Sequence, residues 1–129
     1  MDLDREKVIS MQEGFIAHNG MRITVLENGY CECEVELTEK GKNLHGFAHG
    51  GLLFSLCDTA AGIAATATGR NVVTQSSAIH FLRPARGGVL TAKGKVVKNG
   101  TRTAFCTAEV FDETGLLLVS ASFDMFFIS

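Results

Sequence analysis

The sequence predicts an α+β domain in which an antiparallel sheet of about six strands wraps around one long central helix. Three observations predict it. A 20-residue stretch, 50–69, is almost wholly apolar and rich in Ala, Leu and Ile, which favours a helix enclosed by protein. Four β-rich runs follow it, separated by short turns that contain glycine. The chain has 129 residues, 46% of them hydrophobic and 20% charged, which suits one domain with its own core.

The elements follow in chain order. Val8, Met11, Phe15 and Ile16 recur at helical spacing, with Asp4 as a cap candidate and Asn19-Gly20 as a stop, so a short amphipathic helix is expected within 1–20. "MRITVLE", Asn28-Gly29 and "YCECEVEL" read as a hairpin, because Asn-Gly suits the two positive φ angles of a type I′ turn. In its second strand Cys31, Cys33, Val35 and Leu37 share one face and Glu32, Glu34 and Glu36 the other, so one face is packed and one wet. The central helix is expected over 51–68. After it come "NVVTQSSAIHFLRPA", "GVLTAKGKVVK", "RTAFCTAEVFD" and "LLLVSASFDMFFIS", divided by Gly87-Gly88, Asn99-Gly100 and Glu113-Thr114-Gly115. Each connection is short enough for consecutive strands to be antiparallel neighbours.

Composition excludes several classes of function. A net charge of −2 without basic clustering gives nucleic acid nothing to bind. The N-terminus shows no apolar signal segment, so a cytoplasmic protein is expected. The stretch 50–69 is long enough to span a membrane, but Asp58 near its centre would cost about 2.5 to 3.5 kcal/mol there. No membrane association is expected. The four cysteines lack the paired spacing that zinc requires, and reduced thiols filling the core fit better. No metal site is expected. GxSxG, HExxH, P-loop and dinucleotide motifs are absent.

What remains is "HGFAHGGLLFSLCDTAAGIAATATG", His45 to Gly69, in which Asp58 is the one acidic residue among small and apolar neighbours. A carboxylate fits a helix interior poorly, and burying it without a partner is costly. It either braces the core through a hydrogen bond or does chemistry. Gly50 and Gly51 stand where the helix begins, and open N–H groups at that end favour negative charge. Without side chains, glycines also let a ligand approach the backbone, though they equally permit a tight entry turn.

"NLHGFAHGGLLFSLCDTAAGIAA", Asn43 to Ala65, resembles the hotdog-fold acyl-CoA thioesterases, specifically the PaaI-like group of the phenylacetate pathway. "SSAIHFLRPARGG" and "NGTRTAF" resemble later strands of that family, and the likeness covers nearly all of the chain after residue 20. The resemblance implies hydrolysis of an acyl-CoA thioester with no cofactor, coenzyme A being part of the substrate. Asp58 is then the nucleophile or the general base, and the Gly51 N–H the oxyanion donor with Gly50 beside it. Asn43 is implied to position water or the carboxylate, or else simply forms a turn. His49 orients the loop or the thioester, or else caps the helix. A hydroxyl near the reactive water falls on Thr74 or Ser76, which this reading places on one strand face with His80. Arg83, Arg86 and Arg102 fall near the nucleotide end of coenzyme A, where guanidinium groups suit phosphates.

Spacing adds a step of its own. Gly51 and Asp58 share a helical face but lie about 10 Å apart along the axis, too far to serve one carbonyl together. Two antiparallel helices in a symmetric dimer bring Gly51 of one copy to Asp58 of the other. Small residues at Gly51, Ser55, Ala61, Gly62 and Ala65 would permit the close approach. A homodimer is expected as the minimal unit, and a homotetramer beyond it. The rival functions are a hydratase or dehydratase acting on an enoyl thioester, and a non-catalytic acyl-CoA-binding domain.

Overall fold

The computed structural model describes residues 13–129. A single helical turn, α1 (Phe15–His18), leads through Asn19 and Gly20 into strand β1 (Met21–Glu27). Strand β2 (Tyr30–Glu36) and a 3-10 turn (Glu39–Gly41) precede the long helix α2 (Gly50–Thr66). Then come β3 (Val72–Phe81), β4 (Val89–Asn99), β5 (Thr103–Phe111) and β6 (Leu117–Phe127). The Asp4, Val8 and Met11 positions of the expected first helix lie outside the described residues. The central helix was expected to start one residue later and to end two residues later than it does.

All six strands form one antiparallel sheet in the order β1-β2-β4-β5-β6-β3. This corrects the expectation that consecutive strands are neighbours throughout. β3 leaves the helix at one edge and pairs with the last strand, while β4 crosses to pair with β2. Strand β2 has the wet and packed faces that its alternation predicts: Cys31, Cys33, Val35 and Leu37 are buried, whereas Glu32, Glu34 and Glu36 are not. The hairpin loop has two residues, but of these Gly29 alone has a positive φ, 76°, and Asn28 does not, so the turn is not type I′. Asn28 stays in ordinary backbone space and the glycine carries the reversal.

Helix α2 lies in the curve of the sheet. Leu53, Leu56, Cys57, Ala60, Ala61, Ile63, Ala64 and Ala65 face the core, where Phe123, Leu90, Leu118 and Met125 close over them. Fully burying a side chain of the size of Leu56 or Phe123 contributes about 1.5 to 3 kcal/mol each. At Gly94 of β4 the strand touches the helix backbone: a Cβ there would stand 2.5 Å from the Ala60 carbonyl carbon. Two sequence expectations change here. The helix is not enclosed on all sides, because Gly51, Ser55, Asp58, Thr59, Gly62 and Thr66 form a partly open stripe. Ala61 and Ala65 are not on that stripe; both are fully buried against the chain's own sheet.

The four cysteines are free and buried. Burial pushes the thiols of Cys31, Cys33 and Cys57 up to about 12 and that of Cys106 up to about 11. They pack as small apolar side chains. Among the described residues, no cluster of three metal-ligating side chains occurs, and no helix is long and apolar enough to cross a membrane.

Candidate active site

The helix entry accounts for its own backbone donors, and the accounting singles out one residue. Four N–H groups at a helix start lack partners within the helix. His49 is the N-cap, with φ −67° and ψ 136°, and its carbonyl accepts from Leu52 and Leu53 at 3.0 and 3.1 Å. Its Nδ1 accepts from the Gly51 N–H at 2.8 Å. Among the described residues, the Gly50 N–H meets no acceptor. The donor expected at Gly51 is therefore engaged, and the open one lies one residue earlier. Because a backbone N–H can only donate, Nδ1 is the acceptor of this bond. A side chain at position 51 would crowd this cap, since a Cβ there would stand 3.0 Å from Nδ1.

The loop before the helix is held by Asn43. Its Oδ1 accepts from the N–H groups of His45 and Phe47, at 2.9 and 3.1 Å, and its own N–H donates to the Phe47 carbonyl at 2.7 Å. Asn43 thus shapes the approach to the glycines, as a turn-forming Asn does, and its side chain does not reach Asp58. The His49 N–H donates to Gly41 and the Ala48 N–H to Ala85, fixing the entry to two neighbouring segments.

Asp58 sits two turns further on, half-buried on the open stripe. Thr74 Oγ1 donates to its Oδ1 at 2.5 Å. Ser76 does not share this site. A bulge between Thr74 and Ser76 inserts one residue, so Thr74 pairs with buried Met125 on the helix side while Ser76 pairs with exposed Asp124 on the outer side. Ser76 Oγ donates to Asp124 there, at 2.8 Å. The expected shared face of Thr74, Ser76 and His80 is therefore broken between its first two members. Beside Asp58, the Cys57 thiol is held protonated by burial first and by the Asp58 charge second, so it offers no thiolate nucleophile.

The two halves open onto different clefts of one chain. A cleft of about 690 Å³ is lined by His49, Gly51, Leu52 and Ser55, and one of about 400 Å³ by Asp58, Gly62, Thr66 and Thr74. The arginines divide. Arg83 Nη1 donates to the Leu117 carbonyl at 2.9 Å, Arg86 lies 4.5 Å over the Phe47 ring, and Arg102 is exposed. Arg70, which the sequence did not single out, donates to the carbonyls of Thr101 and Ser129 and stacks 3.8 Å over Phe127. It ties down the C-terminal end of the sheet.

Comparison with known proteins agrees with this architecture. The thioesterase superfamily profile matches residues 45–119. The acyl-coenzyme A thioesterase PaaI of Escherichia coli is 34% identical over 95 residues, which span 73% of this chain and 68% of that protein. The solved structure of E. coli PaaI superposes with a TM-score of 0.90 at 26% identity, covering 96% and 91% of the two chains. A Streptococcus pneumoniae hypothetical thioesterase, solved with coenzyme A, superposes with a TM-score of 0.81 at 30% identity, covering 84% and 86%. That protein was also solved with an aspartate, and separately a threonine sixteen residues later, replaced by alanine. The chain is thus a PaaI-like member of the thioesterase superfamily, a hotdog-fold thioester hydrolase.

Proposed function

We propose that the protein hydrolyses acyl-CoA thioesters at a site built by two copies of the chain, with Asp58 of one copy facing Gly50 of the other. The observation that carries this reading is the Thr74 to Asp58 hydrogen bond on the open stripe of α2. It holds Oδ1, and among the described residues Oδ2 has no hydrogen-bond partner and is open to act. The same spacing, an aspartate and a threonine sixteen residues on, is the pair altered in the S. pneumoniae relative, which supports both as functional. That relative's bound coenzyme A and the acyl-coenzyme A thioesterase among the relatives support the substrate class.

The oxyanion donor in this reading is the Gly50 N–H, because His49 already occupies that of Gly51. The gap of about 12 Å along α2 between Gly50 and Asp58 supports a site shared between copies. β3 supports it too, as an edge strand left open on both faces over most of its length. Asp58 Oδ2 either takes a proton from water as the hydroxide adds to the carbonyl carbon, or adds itself to give a mixed anhydride that water then cleaves. In both courses the C–S bond breaks, the coenzyme thiolate leaves and takes up a proton, and the free acid remains. Label found in the Asp58 carboxylate after a single turnover in ¹⁸O-water would require the anhydride, with water attacking its Asp58 carbonyl.

The test is release of free thiol from a panel of acyl-CoA substrates, followed with a thiol reagent. The buried cysteines of the enzyme itself contribute no background. Asp58→Ala is expected to lose about 10²-fold or more in kcat. No thiol release by the wild type, or full activity in Asp58→Ala, would overturn the proposal.

A further inference from the structure

Phe81 ends β3 beside the helix entry. It pairs with buried Val119 of β6 and shares the inner face with Ile79. A Cβ at Gly50 would stand 3.4 Å from the ring's Cζ and 3.6 Å from Cε1, so the ring edge touches the residue whose N–H is open. Yet the ring is 52% exposed, and Leu82 beside it is 50% exposed, leaving an apolar ledge next to that donor. The chain then continues through Arg83 and Arg86, and the Ala85 carbonyl accepts from the Ala48 N–H, which fixes this segment against the loop before α2. In chain order the aromatic face beside the open N–H is therefore followed by two arginines, whose guanidinium groups rest on the Leu117 carbonyl and over the Phe47 ring.

We infer that the exposed face of Phe81 carries the pantetheine arm of a coenzyme A thioester whose carbonyl oxygen rests at the Gly50 N–H. This rests on the acyl-CoA hydrolase reading above and goes on to say which part of the substrate the ring serves. The order along the chain decides it. Cations follow the ring, and in a coenzyme A thioester the phosphates lie beyond the pantetheine, on the side away from the acyl group. The apolar cleft around Asp58, with Val72, Val73 and Ile63, lies towards the other end of β3, beyond the roughly 12 Å that separates Gly50 from Asp58 along α2 on the same chain. The gem-dimethyl and methylene groups of the arm suit an aromatic face, and Phe81 offers that face without ordering a flexible side chain.

The experiment compares wild type, Phe81→Leu and Phe81→Ala with two acyl-CoAs of different acyl size, and titrates each protein with coenzyme A alone by calorimetry. In Phe81→Ala, KM is expected to rise about tenfold by the same factor for both acyl groups, with kcat within about twofold of wild type. Coenzyme A should bind about tenfold more weakly, and Phe81→Leu should fall between. A KM change that depends on the acyl group, unchanged coenzyme A affinity, or a loss explained by altered oligomeric mass in light scattering overturns the assignment. Calorimetry reads the ring without turnover, so an inactive wild type would defeat the hydrolase reading while still answering for Phe81.

Discussion

At the scale of single residues, the site depends on which of two adjacent glycines keeps a free donor. Gly50 can be tested by proline, which removes the N–H but is tolerated at the first helical position. His49 already has the extended backbone that precedes proline, at φ −67° and ψ 136°. Gly50→Pro is expected to cut kcat by about 10²- to 10³-fold while thermal unfolding stays near wild type. Gly50→Ala keeps the donor and meets Phe81 at 3.4 Å, so it should retain most activity. A proline variant with wild-type kcat would move the donor elsewhere. Asp58 was legible from the sequence because a charge in an apolar run is anomalous whatever the fold. The choice of Gly50 over Gly51 was not, because the His49 bond that decides it is a matter of geometry. The choice of Thr74 over Ser76 was hidden too: the bulge between them carries no glycine or proline to announce it.

At the scale of elements, the sequence announced every strand boundary where a turn needs glycine, and the alternation in β2 foretold its packed face. It did not announce that β3 joins β6. Short connections suggest neighbours, whereas β3 takes the free edge beside the last strand and the chain crosses over to β4. Nor did the pattern separate the core side of α2 from its open stripe, because alanines and glycines occur on both. The contact that seats the helix is Gly94, where an added Cβ would meet the Ala60 carbonyl carbon at 2.5 Å, and neither backbone can yield cheaply. Gly94→Ala should therefore destabilise the fold by about 1 to 3 kcal/mol, read as a lower denaturant midpoint. Gly87→Ala is the control, since nothing lies within 4 Å of its added Cβ. Equal midpoints for the two variants would show that the helix does not rest on β4 at this point.

At the scale of the whole molecule, protons and copies each bear on how the fold works. The thiols of Cys31, Cys33, Cys57 and Cys106 lie well above their ordinary value near 9 because burial disfavours the thiolate. In the unfolded chain they ionise near pH 9, so above that pH the folded state binds more protons and stability falls as pH rises. Denaturant midpoints should be insensitive to these groups below pH 9 and decline between about pH 9 and 12. A flat profile across that window would place the thiols in water. The shared site makes a sharper demand on assembly. If Asp58 and Gly50 come from different copies, Asp58→Ala and Gly50→Pro spoil opposite halves, and each is nearly inactive alone. Unfolded together and refolded as an equal mixture, half of the dimers are mixed, and each mixed dimer has one site with both halves intact. The mixture should then recover about a quarter of wild-type activity. Were both groups drawn from a single chain, every site in the mixture would be defective, and no recovery would appear at any ratio of the two variants.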